Sequence, residues 1–358
     1  MRKISMRRRS LSCPWVSERK EVRKMSKLQR TFRKQREVVL VYFLMIIVLG
    51  LFIYLQNDFT KFGITSLCNQ CVTLVVVSFP QTIAILLGGI DMSIGPTVIL
   101  CNCVLAMSFE PLINLAGEPL GIALAILLTL AVGTICGLIN GAAIVYGRLQ
   151  PIIVTIATAS IYSGVALYVC PLPGGTVPRA FSKFLSGRLF EYIPTAFIII
   201  LLFSLVVWRI FRNSRLGHAI YAIGGNEYSA FLSGINVERS KMKAYIFCGI
   251  LAACAGIIMT SQTSSGDATG GASYAVNSIT AVVMGGALLS GGQGTYIASV
   301  AGSVILSLLV GILTFLQVSS YYTTAIQGLM LLLVLTIYAV SRIRRVTPTK
   351  QEEVTDNG

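Results

Sequence analysis

Apolar residues in this chain come in long blocks, and the polar residues between them come in short clusters. Crossing the hydrocarbon of a bilayer takes a helix of about 20 apolar residues. Ten segments approach that length: 38–55, 64–87, 92–107, 121–146, 151–169, 193–210, 243–261, 276–289, 296–316 and 321–340. They predict an all-α fold, a polytopic membrane helix bundle of about ten transmembrane helices. The third, fifth and eighth segments are short or carry glycine or proline, so they are expected to be broken or re-entrant. The blocks divide the chain into a basic N-terminal tail at 1–37, a transmembrane domain at 38–345 and a C-terminal tail at 346–358.

Charge sharpens this picture. Charged residues are 12% of the chain, about half the roughly 25% usual in soluble domains. Between Lys61 and Arg148 the only formal charges are Asp91, Glu110 and Glu118, and between Lys243 and Arg342 the only one is Asp267. A charge at the bilayer centre costs at least about 2.5 kcal/mol, which explains stretches so bare of them. Fourteen of the 29 Lys and Arg residues precede Val38. A basic tail directly before an apolar span belongs in the cytoplasm, against anionic lipid, and implies no nucleic-acid partner. The tail is too long for a signal peptide and no A-x-A-like site follows the first span, so that span is retained.

Ten crossings return the C-terminus to the side of the N-terminus, where Arg342, Arg344, Arg345 and Lys350 lie. The segment 209–243, with six basic residues, falls on the inner side, and the loop 108–120, with Glu110 and Glu118, on the outer side. The outer segment 170–191, with Arg179, Lys183 and Arg188, is the exception to the charge rule.

Small residues repeat at intervals of four: Gly133, Gly137 and Gly141; Ala298 and Gly302; Ser303, Ser307 and Gly311. Such stripes let spans approach closely where no hydrophobic force drives them together. Chemistry-bearing residues are few. Cys68 and Cys71 form an isolated C-x-x-C without the second pair that zinc needs, and His218 stands alone, so no metal, cofactor or catalytic residue is expected. The peptide Leu289-Ser290-Gly291-Gly292-Gln293 spells a motif of ABC ATPases, but no glycine here is followed by lysine, so a phosphate-binding loop is missing and the match is coincidental.

The remaining features are interruptions. Gly88, Gly89, Asp91 and Ser93, followed by Gly95-Pro96, mark a helix break, with Asp91 as an N-cap for a helix beginning near Met92 or as a group in a substrate path. Gly285-Gly286 and Gly291-Gly292 mark another. Paired breaks in two halves of a transporter point to a translocation pathway, and 84–95 is slightly similar to 283–294. On the inner side, Gly217–Asn226 leads through a Gly224-Gly225 turn into a short helix capped by Asn226 and ended by Gly234. With Asn236 beyond it, this loop is a docking knob for a cytosolic partner.

Four stretches make the chain resemble bacterial ABC sugar permeases of the ribose/xylose/arabinose type. They are 88–95 (GGIDMSIG), Pro151 through Thr155 to Thr158 (PIIVTIAT), 222–226 with 233–237 (AIGGN and SGINV), and 281–294 (AVVMGGALLSGGQG). The chain departs from the family at Ala157, where glycine is usual, and at Ser163, near the place of a common arginine. The resemblance implies a bacterial inner-membrane subunit forming half of a dimeric pathway with a second copy or a paralogue. It implies a cytosolic ABC ATPase docked on 217–237 and an extracytoplasmic sugar-binding protein, with ATP hydrolysed by the partner. A nucleoside, a furanone-type signalling sugar or a branched amino acid is the alternative cargo within that class. An ion-coupled secondary transporter or a membrane-embedded enzyme is the alternative outside it, and scarce intramembrane charge weighs against both.

Overall fold

The computed structural model describes residues 27–55, 61–186, 188–189, 193–271 and 273–346. The helices are α1 (Lys27–Leu55), α2 (Lys61–Leu86), α3 (Ile94–Ala116), α4 (Glu118–Val145), α5 (Pro151–Val169), α6 (Arg179–Ser186), α7 (Thr195–Asn213), α8 (Arg215–Gly225), α9 (Glu227–Leu232), α10 (Val237–Thr263), α11 (Tyr274–Met284), α12 (Tyr296–Phe315) and α13 (Ser320–Val346). A two-residue antiparallel ladder, Arg188–Leu189 with Ile193–Pro194, precedes α7. Most of the basic tail, 1–26, and the last residues, 347–358, lie outside the described part.

Among the described residues seven helices are long and apolar enough to cross a membrane: α1 to α5, α10 and α12. Helices α7 and α13, of 19 and 27 residues, occupy the sixth and tenth predicted segments. Helix α11 has only 11 residues, about 16 Å at 1.5 Å per residue, roughly half the hydrocarbon thickness. The chain is therefore a polytopic all-α membrane bundle. Large apolar side chains stay exposed along α1, α4, α5 and α7, among them Phe43, Ile46, Leu127, Ile153, Ile161 and Phe203. Lipid covers such faces, whereas water would not tolerate them.

Two expectations are corrected. The third and fifth segments are unbroken helices, and only the eighth is short. Pro96 falls in the first turn of α3 and Pro151 opens α5. The first N–H groups of a helix have no intrahelical partner, so proline there removes nothing. The predicted outer loop 108–120 is also mostly helix. Helix α3 continues to Ala116, and Gly117, at φ 80°, alone separates it from α4. Phe109 is fully buried against Phe181, and Leu112 and Ile113 pack with Ile122 and Ile126, so this turn of α3 is held by packing.

Helix α10 runs through the centre, against α2, α3 and α4. The glycine stripe of α4 faces it: Gly137 lies on the Tyr245 carbonyl, and Gly133 meets Gly249 and Ala253. Backbones this close gain dispersion along their whole contact, which substitutes for a hydrophobic force in lipid. The other stripes also pack, with Gly302 on Ala281 and Gly311 on Leu67 and Phe52. An aromatic cluster fastens α2, α7, α10 and α12. Phe79 stacks on Tyr296 at 4.4 Å, and Phe211 stacks on Phe247 at 5.4 Å. At one end of the bundle Gly174 and Gly266 exchange backbone hydrogen bonds of 3.0 and 2.8 Å, and Asp267 N–H donates to Asn102 Oδ1 at 2.9 Å. The helix breaks lie at the other end.

Candidate functional site

Helix α2 ends because its last turn closes on glycine. Gly88 N–H donates to Ile85 O at 2.9 Å and Gly89 N–H to Ala84 O at 3.0 Å, with Gly88 at φ 80°. This is the left-handed C-terminal closure that a Cβ disfavours. The chain then runs outside any helix to Asp91, which is only 2% exposed. Its Oδ1 accepts from Ser93 N–H at 2.9 Å and from Ser93 Oγ at 2.6 Å. The helix starts at Ile94, two residues later than the expected start near Met92. Ser93 sits at the cap position, and Asp91 acts on it from two residues upstream.

A polar chain continues from there. Asn140 Nδ2 on α4 donates to Ser93 Oγ at 2.7 Å, and Tyr162 OH on α5 donates to Cys136 O at 3.0 Å with Asn140 Oδ1 as a second, longer acceptor at 3.3 Å. Thr155 holds the other side of the break, accepting from Met92 N–H and donating to Ile90 O, both at 3.2 Å. Thr158, one turn on, donates to Thr155 O at 3.4 Å, and Pro151 packs against Gly89. Thr155→Val keeps shape and removes both bonds to the break. It is expected to lower stability by about 1–2 kcal/mol, because the part-buried Met92 N–H and Ile90 C=O both lose their partner. Thermal unfolding in detergent reads the shift, and an unchanged midpoint would count against Thr155 as a clamp.

Helix α11 ends in the same way. Gly286 N–H donates to Val283 O at 2.8 Å and Ala287 N–H to Val282 O at 3.2 Å, with Gly286 at φ 84°. Gly285 packs against the backbone of Ala298 on α12. The non-helical 285–295 closes through Leu288 N–H to Gln293 O at 3.0 Å, and Thr295 caps α12. The slight similarity of 84–95 to 283–294 is thus matched by one shared pattern of backbone closure. The coincidental ATPase pentapeptide is the backbone of this second break.

The two breaks touch, and α8 touches both. Gly292 N–H donates to Leu86 O at 2.9 Å, and Tyr221 OH on α8 donates to Gly294 O at 2.6 Å. A Cβ on Gly224 would overlap Leu86 O and lie 2.6 Å from Gly292 N. A Cβ on Gly291 would lie 2.7 Å from Gly224 O and 2.8 Å from Gly88 N. Three segments distant in sequence therefore meet backbone to backbone. Sequence reasoning kept the glycines of the inner loop and those of the breaks as separate sets. The shared sign was a Gly-Gly pair in each: 88–89, 224–225 and 291–292.

The predicted inner loop is more ordered than expected. Residues 215–225 form α8, since Ser214 caps it by accepting from Gly217 N–H at 3.0 Å. Gly217 lies buried on Phe211 O at the α7–α8 corner. Asn226 caps α9 through Ser229 N–H at 2.8 Å, Gly234 has φ 81°, and Asn236 caps α10 through Arg239 N–H at 2.9 Å. Helix α9 presents Tyr228, Phe231 and Leu232 at 65–70% exposure. An ion pair of 2.7 Å, Lys241 to Glu227, ties α9 to α10. Between this pair, Arg148 and Gly89 lies a cavity of 340 Å³, floored by Tyr245. No group of three or more potential metal ligands occurs among the described residues.

Comparison with known proteins places this arrangement in context. The family described as "Branched-chain amino acid transport system / permease component" matches residues 63–335. The ribose import permease protein RbsC of Escherichia coli (strain K12) is 34% identical over 282 residues, 77% of this chain and 85% of the relative. RbsC of Bacillus subtilis (strain 168) is 34% identical over 274 residues, covering 76% and 83%. The autoinducer 2 import system permease protein LsrD of Escherichia coli O9:H4 (strain HS) is 33% identical over 288 residues, covering 77% and 84%. No solved structure matches the chain.

Proposed function

Because the chain belongs to this permease family, as a transport subunit of a multi-pass membrane bundle, we propose that it forms the pathway by which an ABC importer takes up a ribose-like monosaccharide. The choice of cargo is supported by relatives named as ribose import permeases that cover most of the chain. The observation that carries the mechanism is the seating of Gly224 against Leu86 and Gly292.

In this reading the break end is cytoplasmic, as are both termini, and the bundle lies in a bacterial inner membrane. A cytosolic ABC ATPase docks on the exposed Tyr228, Phe231 and Leu232 of α9. Closure of the ATPase pair moves α8–α9, and Gly224 passes that displacement to both breaks at once. Gly88, Gly89, Asp91, Ser93, Pro151, Thr155, Thr158, Gly285 and Gly286 shape the gated part of the pathway. Asn226, Gly234 and Asn236 hold the coupling helix in position, with Gly217 supporting α8 from behind and Gly225 only ending α8. The opposite end, around Gly174 and Gly266, receives sugar from an extracytoplasmic binding protein. A second copy or a paralogue completes the pathway. Energy enters only if nucleotide and cargo bind the two states unequally.

Uptake of labelled ribose, in cells lacking other ribose importers, tests the reading. Uptake is expected to require this chain, an ATPase and a binding protein together. Uptake that persists without the ATPase, driven by an ion gradient, would refute it.

A further inference from the structure

Gln81 lies in the middle of the bundle, on α2, and is 0% exposed. Neither its Nε2 nor its Oε1 has a hydrogen-bond partner in the protein. Buried amides are nearly always paired, and each orphaned atom carries a desolvation cost. Its position in the bundle is well defined. Val77, one turn before it, belongs to one buried apolar cluster with Ile94 and Val98 of α3. Ile85, one turn after it, packs on Ile279 and Val282 of α11 and on Ile90 and Met92 of the first break. Residues four apart share a helix face, so Gln81 faces the seam where α2, α3 and the half-length α11 meet.

A second buried amide, on α10, lies against α2 and is half paired. Thr73, two turns before Gln81, donates to Gln262 Oε1 at 2.7 Å, while Gln262 Nε2 is buried without a partner. Gln81 is thus wholly unsatisfied and Gln262 half satisfied, and from Gln81 α2 leads to a break whose backbone is seated on α8. A carboxamide offers two donors and an acceptor oxygen with two lone pairs, a set that matches neighbouring hydroxyls of a sugar.

We propose that Gln81 is a specificity-determining residue of the transport pathway, whose unpaired amide hydrogen-bonds the hydroxyl groups of the cargo when the α2–α3–α11 seam opens. This rests on the sugar-import reading above. In the closed state the amide waits unpaired, and the cargo satisfies it in passing. Opening relieves the cost of the closed state, and a hydroxylated cargo supplies the partners that the closed seam lacks.

Gln81→Met keeps the length of the side chain and removes its polar atoms. The variant is expected to accumulate in the membrane and to unfold in detergent no earlier than the parent, since two orphaned atoms are gone. Its ribose uptake is expected to fall about tenfold, the worth of a lost hydrogen bond of about 1.4 kcal/mol. Wild-type uptake by this variant would overturn the proposal, because a merely structural glutamine predicts it. A second arm does not depend on the cargo. Gln81→Cys is treated with a water-soluble methanethiosulfonate, in membranes carrying the partner ATPase, and labelling is counted over that of the parent chain. Labelling that is faster with ATP than without it supports an opening seam. If the wild type moves no ribose, the substrate reading falls and this arm alone judges Gln81. A position that stays unlabelled with and without ATP overturns the proposal.

Discussion

Gly224→Ala is expected to abolish uptake, while Gly225→Ala, one residue on, leaves it near the parent level. The two glycines end the same helix and differ in what lies opposite them. A methyl on Gly224 would overlap Leu86 O and press on Gly292 N, both backbone atoms of the breaks. Backbone cannot rotate away as a side chain can, so either α8 lifts off or the breaks shift. Overpacking of this kind costs about 3 kcal/mol, and that would reduce a gating equilibrium at least about 100-fold. A methyl on Gly225 meets nothing within 4 Å, and alanine favours the helix over glycine by about 1 kcal/mol. Uptake normalised to the amount of chain in the membrane reads the contrast. Measuring ATP hydrolysis by the assembled transporter separates the causes. Hydrolysis that continues without uptake places the fault in coupling, whereas loss of the chain from the membrane places it in folding. Normal uptake by Gly224→Ala would mean that α8 does not drive the breaks.

The bundle was largely readable from sequence because a bilayer imposes one length on every crossing helix, and length survives in composition. The blocks at 38–55 and 151–169 coincide with helical spans. What composition could not supply was the position of a proline within its turn. Pro96 reads as a breaker until the helix is known to begin at Ile94, and then it is harmless. The segment 108–120 reads as a loop because it holds Glu110, Pro111 and Glu118, and only the burial of Phe109 on Phe181 shows why α3 continues. The site divides similarly. Each Gly-Gly pair was visible, and so was the cap residue Asn226. The meeting of Gly224 with Leu86 and Gly292 was not, since a close backbone approach leaves no trace except an absent side chain. Gln81 was hidden for the opposite reason. One polar residue in an apolar block carries no sign of whether it is paired, and pairing exists only in the folded arrangement.

Asp91 provides the second large effect, and two substitutions separate its possible roles. Asp91→Ala removes both bonds to Ser93, at 2.9 Å to the backbone N–H and 2.6 Å to Oγ. Leaving the buried Ser93 N–H and Oγ without this acceptor costs about 1–3 kcal/mol each, so a loss of about 3 kcal/mol is expected, enough to deplete the folded chain in the membrane. The damage spreads, because Ser93 Oγ also accepts from Asn140, and Asn140 accepts from Tyr162. Helices α3, α4 and α5 lose their common polar tie together with the start of α3. Asp91→Asn keeps an acceptor oxygen in the same place. Among the described residues the ion pair Lys241–Glu227 does not involve Asp91, so the carboxylate has no cationic side chain to compensate its burial, and removing its charge relieves that penalty. The asparagine variant is therefore expected to fold and to transport nearly as the parent does, whereas alanine does neither. That ordering makes Asp91 a local fastener of the first break. If Asp91→Asn reaches the membrane in full amount and yet moves no sugar, the negative charge itself handles the cargo, and the role assigned to the acceptor oxygen alone is wrong.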